Sequence, residues 1–206
     1  NFIATSEKLS FNMVTIVDYG DVCINEVAAS IGKITNDYKV SRNELDICGA
    51  DKIIFAGCGN APAVMRKIQM LNLYSVLRVV KKPILGIGLG MQLMADYSTE
   101  GNFSCLGFFS GTAIKIDDAI EESAYKGMHK LCICRQSTLF DGIDANAEFF
   151  FNNSYYLPKS DLSTSTCSNT ITFCASIENE NAFGVQFHPE MSGEAGLKLL
   201  RNFIEM

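Results

Sequence analysis

Few side chains in this sequence can carry nucleophilic or acid–base chemistry. There are two histidines, His129 and His188, so any mechanism that needs an imidazole must use one of them. There are eight cysteines: Cys23, Cys48, Cys58, Cys105, Cys132, Cys134, Cys167 and Cys174. A thiol becomes a nucleophile at neutral pH when a neighbouring base activates it, and imidazole is the natural base. His188 is followed by Pro189 and Glu190. A carboxylate placed there can fix the tautomer of the ring, as a catalytic base requires. The competing reading is a lone histidine and a surface glutamate, each with a structural hydrogen bond. Cys132 and Cys134 form the one close cysteine pair. A zinc site would want a second pair or nearby histidines, so these two read as small residues of a strand or loop.

A second feature is PILGIGLGMQLM at 83–94, where Gly86, Gly88 and Gly90 alternate at the junction of an apolar strand and a helix. The spacing is one residue short of a dinucleotide fingerprint. The other reading is a nucleophile elbow, a sharp turn that displays one side chain above a sheet and demands small neighbours. The tip of that elbow should be Cys or Ser, and it is Gly88.

The elements that would position these residues follow an α/β pattern. Strands are expected at Met13–Val17, Lys52–Ala56 and Pro83–Ile87. Each runs into a glycine-containing turn, and helices are expected at Asn25–Ile31, Ala63–Met70, Leu73–Val80 and Met91–Tyr97. Such units build a mainly parallel sheet, with its site at the carboxyl ends of the strands. Phe149–Phe151, Thr170–Ala175 and Phe183–Phe187 read as strands of an antiparallel edge. Gly193–Glu205 reads as a closing amphipathic helix with Leu197, Leu200 and Ile204 on one face. His188 would then stand at the end of an alternating strand.

The 206 residues suit one domain over residues 13–206, preceded by an extension at residues 1–12. A formal charge of −6 argues against a nucleic-acid partner. No apolar run approaches the roughly 18 residues of a membrane span. The expected location is the cytoplasm, with free thiols.

On these residues the sequence resembles the class I (triad-type) glutamine amidotransferases. GIGLGMQL is similar to that family's G-I-C-L-G-M-Q-L elbow, and GVQFHPEMSGEAGLKLLRNFIEM to its closing G-x-Q-F-H-P-E segment and last helix. More narrowly, it resembles the glutaminase subunits of imidazole glycerol phosphate synthases, through VDYG at 17–20, VSR at 40–42, ADKIIFAGCG at 50–59 and SYY at 154–156.

The resemblance implies a flavodoxin-like fold, with a mainly parallel central sheet, helices on both faces and an antiparallel extension. It implies glutamine as substrate, no cofactor and no metal. It also implies a heterodimer with a (β/α)8 cyclase subunit, which receives ammonia through a tunnel for a step of histidine biosynthesis. Carried over by position, Gly88 occupies the nucleophile's place, His188 is the base and Glu190 its orienter. Gly57, Gly59 and the Leu89 amide match the oxyanion region. Gln92, Asn153, Ser154 and Tyr155 match glutamine-binding positions.

The departures cluster at these motifs. Glycine replaces the nucleophile, Ala56-Gly57-Cys58-Gly59 replaces P-G-V-G, and Val22-Cys23 replaces a Gly-Asn pair. Asn153-Ser154-Tyr155 replaces His-Ser-Tyr, and the partner-facing P-H-M-G-W-N segment is barely recognisable around Met128-His129-Lys130. Cys58, on a neighbouring strand end, could face the same pocket or be a small buried residue of a tight turn. Three functions are open at this point: a glutaminase subunit inactive for want of its thiol, a non-catalytic pseudo-glutaminase that regulates an ammonia-using synthase, and an amidotransferase of surface-sugar biosynthesis.

Overall fold

The computed structural model describes residues 12–120 and 125–206. The extension at 1–12 lies, Asn12 apart, outside the described residues. The chain starts with β1 (Val14–Val17), α1 (Cys23–Gly32), β2 (Tyr38–Ser41), α2 (Glu44–Cys48), β3 (Lys52–Gly57), α3 (Ala61–Met70), α4 (Leu73–Val79) and β4 (Ile84–Gly88). It continues through α5 (Leu89–Leu93), β5 (Ala95–Ser98), β6 (Phe103–Ser104), β7 (Phe109–Lys115), β8 (Lys126–Lys130), β9 (Cys132–Ile133), β10 (Glu148–Asn152) and β11 (Tyr155–Tyr156). It closes with β12 (Ser163–Ser168), β13 (Thr172–Asn179), β14 (Ala182–Val185) and α6 (Gly193–Glu205).

Eight strands form the central sheet in the order β2-β1-β3-β4-β14-β13-β12-β9. The pairings from β2 through to β14 are parallel, and those from β14 out to β9 are antiparallel. Every residue of β1, β3 and β4 is buried. Successive strand residues point to opposite faces, so both faces of this part are covered. The helices form two packed groups, α1 with α6 and α2, α3, α4 and α5 in series. The order β2-β1-β3-β4 reverses direction between β1 and β3, which makes a topological switch point at their carboxyl ends.

Local sequence explains the boundaries. Asn60 caps α3, its side chain accepting from the Ala63 N–H at 3.1 Å with Pro62 in the first turn. Buried positions 196, 199, 200, 203 and 204 of α6 follow the i, i+3, i+4, i+7, i+8 rule. The stripe therefore runs through Gly196, Leu199, Leu200, Phe203 and Ile204, and the expected Leu197 is only half-buried.

Two further expectations are corrected. The helix over Met91–Tyr97 is a single short turn ending at Leu93, after which the chain becomes β5. Ala95, Tyr97 and Ser98 pair with β7, and Tyr97 and Ser98 also pair with β6. This ladder overrides the helical spacing of the apolar residues. Phe149–Phe151 belongs to β10, which pairs with β8 in a separate ribbon and not at the sheet edge. The last two expected strands are shifted, to Thr172–Asn179 and Ala182–Val185, and β14 is antiparallel to β13 but parallel to β4.

Candidate functional site

The junction of β4 and α5 is built as an elbow, and its three glycines have different reasons. A Cβ on Gly86 would meet the Met91 backbone N at 2.8 Å, and one on Gly90 would meet the Phe55 carbonyl oxygen at 1.9 Å. Both are close-packing positions. Gly88 has φ +59° and ψ −119°, a strained region for any residue with a side chain. A Cβ there would point at the imidazole of His188, 2.9 Å from Cε1 and 3.1 Å from Nε2, with the Gly57 carbonyl at 2.9 Å.

His188 reaches this point from the far side. The chain leaves β14 through Gln186 and Phe187, and Phe187 packs against Phe149 and Phe151, with ring centroids 4.4 and 5.6 Å away. The His188 N–H donates to the Phe150 carbonyl at 2.8 Å. Ser192 Oγ donates to the His188 carbonyl at 2.6 Å and accepts from the Phe150 N–H at 2.9 Å. The ring is buried, and its Nδ1 lies 2.8 Å from Glu190 Oε1. The second Glu190 oxygen is buried with no partner among the described residues. Pro189 opens the turn between the two. The carboxylate thus holds Nδ1 and leaves Nε2 facing the elbow, the orientation of a general base.

A cavity of about 410 Å³ opens over this pair. Of the residues singled out in the sequence, Gly57, Gly59, Gly88, Leu89, Gln92, Asn153, Ser154, Tyr155 and His188 line it, and Glu190 stands behind His188. Gln92 Nε2 donates to the Tyr155 carbonyl at 2.7 Å and to Gln186 Oε1 at 2.9 Å, so its amide nitrogen is committed within the protein. Asn153 Nδ2 donates to the same carbonyl at 3.0 Å, and its buried Oδ1 has no partner among the described residues. The elbow, the base and the 153–155 segment come together from sequence separations of up to about a hundred residues.

Cys58 also lines the cavity, as does Cys23, which sequence reading did not connect to it. Cys58 Sγ donates to Asp21 Oδ1 at 3.2 Å. Burial, then that hydrogen bond, push the Cys58 thiol up, and burial pushes Cys23 up further. Neither is a ready thiolate. His129 lies on β8 with its ring edge-on to Phe151, 5.9 Å between centroids, and does not line the cavity. Cys132 lies on β9 with Cys134 just beyond it, both exposed, and all eight cysteines are free.

A carboxylate-oriented imidazole thus faces a strand–helix elbow whose tip is Gly88. The family described as glutamine amidotransferase class-I matches residues 15–206, and the chain belongs to that family. Its relatives include the protein named imidazole glycerol phosphate synthase subunit HisH from Haemophilus influenzae, 35% identical over 93% of this chain and 96% of that protein. The Escherichia coli protein of the same name is 36% identical over 94% of this chain and 99% of its own length. Among solved structures, a glutamine amidotransferase superposes with a TM-score of 0.70 over 94% of this chain and 97% of that one. PurLQS from Thermotoga maritima superposes with a TM-score of 0.64 over 93% of this chain and 97% of that one. At 14% and 20% identity those likenesses speak for the fold alone. Among the described residues, no helix is long and apolar enough to cross a membrane.

Proposed function

We propose that the chain is a glutaminase-type subunit of an imidazole glycerol phosphate synthase, paired as a heterodimer with a (β/α)8 cyclase subunit, and that it does not hydrolyse glutamine because Gly88 holds the nucleophile's place. The names of its relatives, matched over nearly their whole length, support the pathway. One observation carries the chemical reading. The Cβ direction at Gly88 leads to His188 Nε2 at 3.1 Å, while the other ring nitrogen is held by Glu190. The machinery for activating a thiol is complete except for the thiol. The orphaned Asn153 Oδ1 offers an acceptor for an amide or ammonium donor of glutamine. The loss of the nucleophile favours a second reading, that of a pseudo-glutaminase whose role is to bind and regulate a cyclase using free ammonia.

The test is a glutaminase assay of the chain and of its Gly88→Cys variant, each with and without the cyclase. The expected result is no turnover by the chain and partner-dependent turnover by the variant. A variant that stays inert with the cyclase bound sinks the glutaminase reading. A chain that fails to co-purify with the cyclase sinks both readings.

A further inference from the structure

We infer that Asp21, Cys23 and Cys58 form a binding site for one thiolate-preferring divalent cation of the Zn2+ class, at the wall of the cavity that His188 also lines. Their ligand atoms all lie within 4.8 Å of one another, and Cys58 Sγ is 3.2 Å from Asp21 Oδ1. Two sulfurs bound tetrahedrally to zinc stand about 3.8 Å apart, given Zn–S bonds of about 2.3 Å. From the observed upper limit, the groups need close by no more than about 1 Å. This is the one group of three or more His, Cys, Asp or Glu that converges in this way among the described residues.

The placement is a second, independent reason. Asp21 and Cys23 follow β1, and Cys58 follows β3. Those adjacent parallel strands flank the point where the strand order reverses, the crevice in which open α/β sheets take their ligands. Two sulfurs and one carboxylate suit zinc and exclude magnesium and calcium, which want oxygen alone. Three protein ligands leave the fourth position to water or to a molecule in the cavity, which Cys23 and Cys58 both line. Binding would release both thiol protons to solvent. Cys23 and Cys58 both stand where the sequence departs from the family's motifs, and the site does not depend on glutamine hydrolysis.

The test uses the full reduced chain with Co2+ as a spectroscopic stand-in, and elemental analysis after Zn2+ loading and desalting. The expected result is one ion per chain and a near-ultraviolet thiolate-to-cobalt band that Zn2+ displaces. Cys23→Ser and Cys58→Ser should each weaken binding at least tenfold, and the Cys132→Ser/Cys134→Ser double variant should leave it unchanged. Retention of the band by Cys58→Ser, or its loss in the double variant, overturns the site. So does a Cys23–Cys58 disulfide found by mass spectrometry in place of uptake. Should the variants not fold, the unaltered chain still decides: its melting temperature should rise with Zn2+ and not with Mg2+, and an equal response to both refutes the assignment.

Discussion

The two walls of the cavity differ in what they carry and in how the fold holds it. The wall from β14 through α6 keeps His188, Pro189 and Glu190 in the geometry of a base and its orienter. The opposite wall, at the ends of β1, β3 and β4, has glycine at the elbow, Cys58 in the turn after β3 and Cys23 at the start of α1. The reason for the asymmetry is physical. The His188 backbone is tied to Phe150 and to Ser192, and a Cβ on Gly196 would lie 1.9 Å from the Pro189 carbonyl. The block that carries His188 and Glu190 is also what seats the last helix, so folding alone would hold it in place. The elbow tip is tied through its backbone, where Gly88 pairs with Gly57 in the β3–β4 ladder. Its backbone conformation favours glycine, and removing a side chain there relieves strain. An intact His188–Glu190 pair therefore says less about activity than the residue at the elbow tip does.

The largest expected effect probes that asymmetry by restoring the elbow. Gly88→Cys, in the presence of the cyclase, should raise glutamine hydrolysis by up to on the order of 10⁴–10⁶, the usual cost of losing such a nucleophile. Adding Glu190→Gln to that variant should remove most of the gain, on the order of 10⁴, because the ring would lose its fixed tautomer. If the double variant keeps the gain, the C-terminal wall is purely structural and the thiol has found another base. The rescue has a counterweight. The new Cβ comes 2.9 Å from the imidazole and from the Gly57 carbonyl, so Gly88→Cys should unfold more easily, by about 1–3 kcal/mol in denaturant titration.

Stability separates the elbow's glycines next. Gly90→Ala puts a Cβ at 1.9 Å from the Phe55 carbonyl, and Gly196→Ala does the same against Pro189. Backbone cannot yield there as a flexible side chain can. Each should cost more than about 3 kcal/mol, or prevent folding, when followed by thermal or urea unfolding. If either costs less than Gly88→Ala, the close packing of that element is looser than its geometry implies.

Much of this was legible in the sequence, and the parts that were not have specific causes. The β3 and β4 strands announced themselves as unbroken apolar runs, and the His-Pro-Glu block and the elbow as motifs. The β12 strand did not, because STSTCS is polar. Its first five residues are nevertheless buried, with Ser176 Oγ within 2.6 Å of both Thr164 Oγ1 and Ser165 Oγ. A hydroxyl network satisfied across strands carries no hydropathy signal. The β5 strand was hidden by apolar spacing that suits a helix for one turn. The nearness of Cys23 to Cys58 depends on the pairing of β1 with β3, which periodicity does not encode. The register of His188 over Gly88 rests likewise on the parallel pairing of β14 with β4.

The smallest effect tests how firmly the altered wall is held. Among the ties of the turn after β1, Tyr19 Oη donates to the Ala56 carbonyl at 2.8 Å inside the core, Lys67 Nζ donates to the Gly20 carbonyl at 3.0 Å, and Arg42 Nη2 bridges Asp18 Oδ2 at 2.5 Å on the surface. The Arg42 hydrogen bond holds the Asp18 carboxyl below its ordinary range, against a smaller opposing effect of burial. A lowered carboxylate contributes stability above its unfolded pKa of about 3.9 and loses it as pH falls through the folded value. Arg42 is 55% exposed, so solvent and salt screen the pair, and Arg42→Ala should cost at most about 1 kcal/mol at pH 7. The difference from the unaltered chain should shrink below about pH 4 and in high salt. A cost well above that, lost as the pH falls, would mean that the turn carrying Asp21 and Cys23 hangs from its surface ion pair. The buried tyrosine would then not be the anchor that keeps this wall rigid.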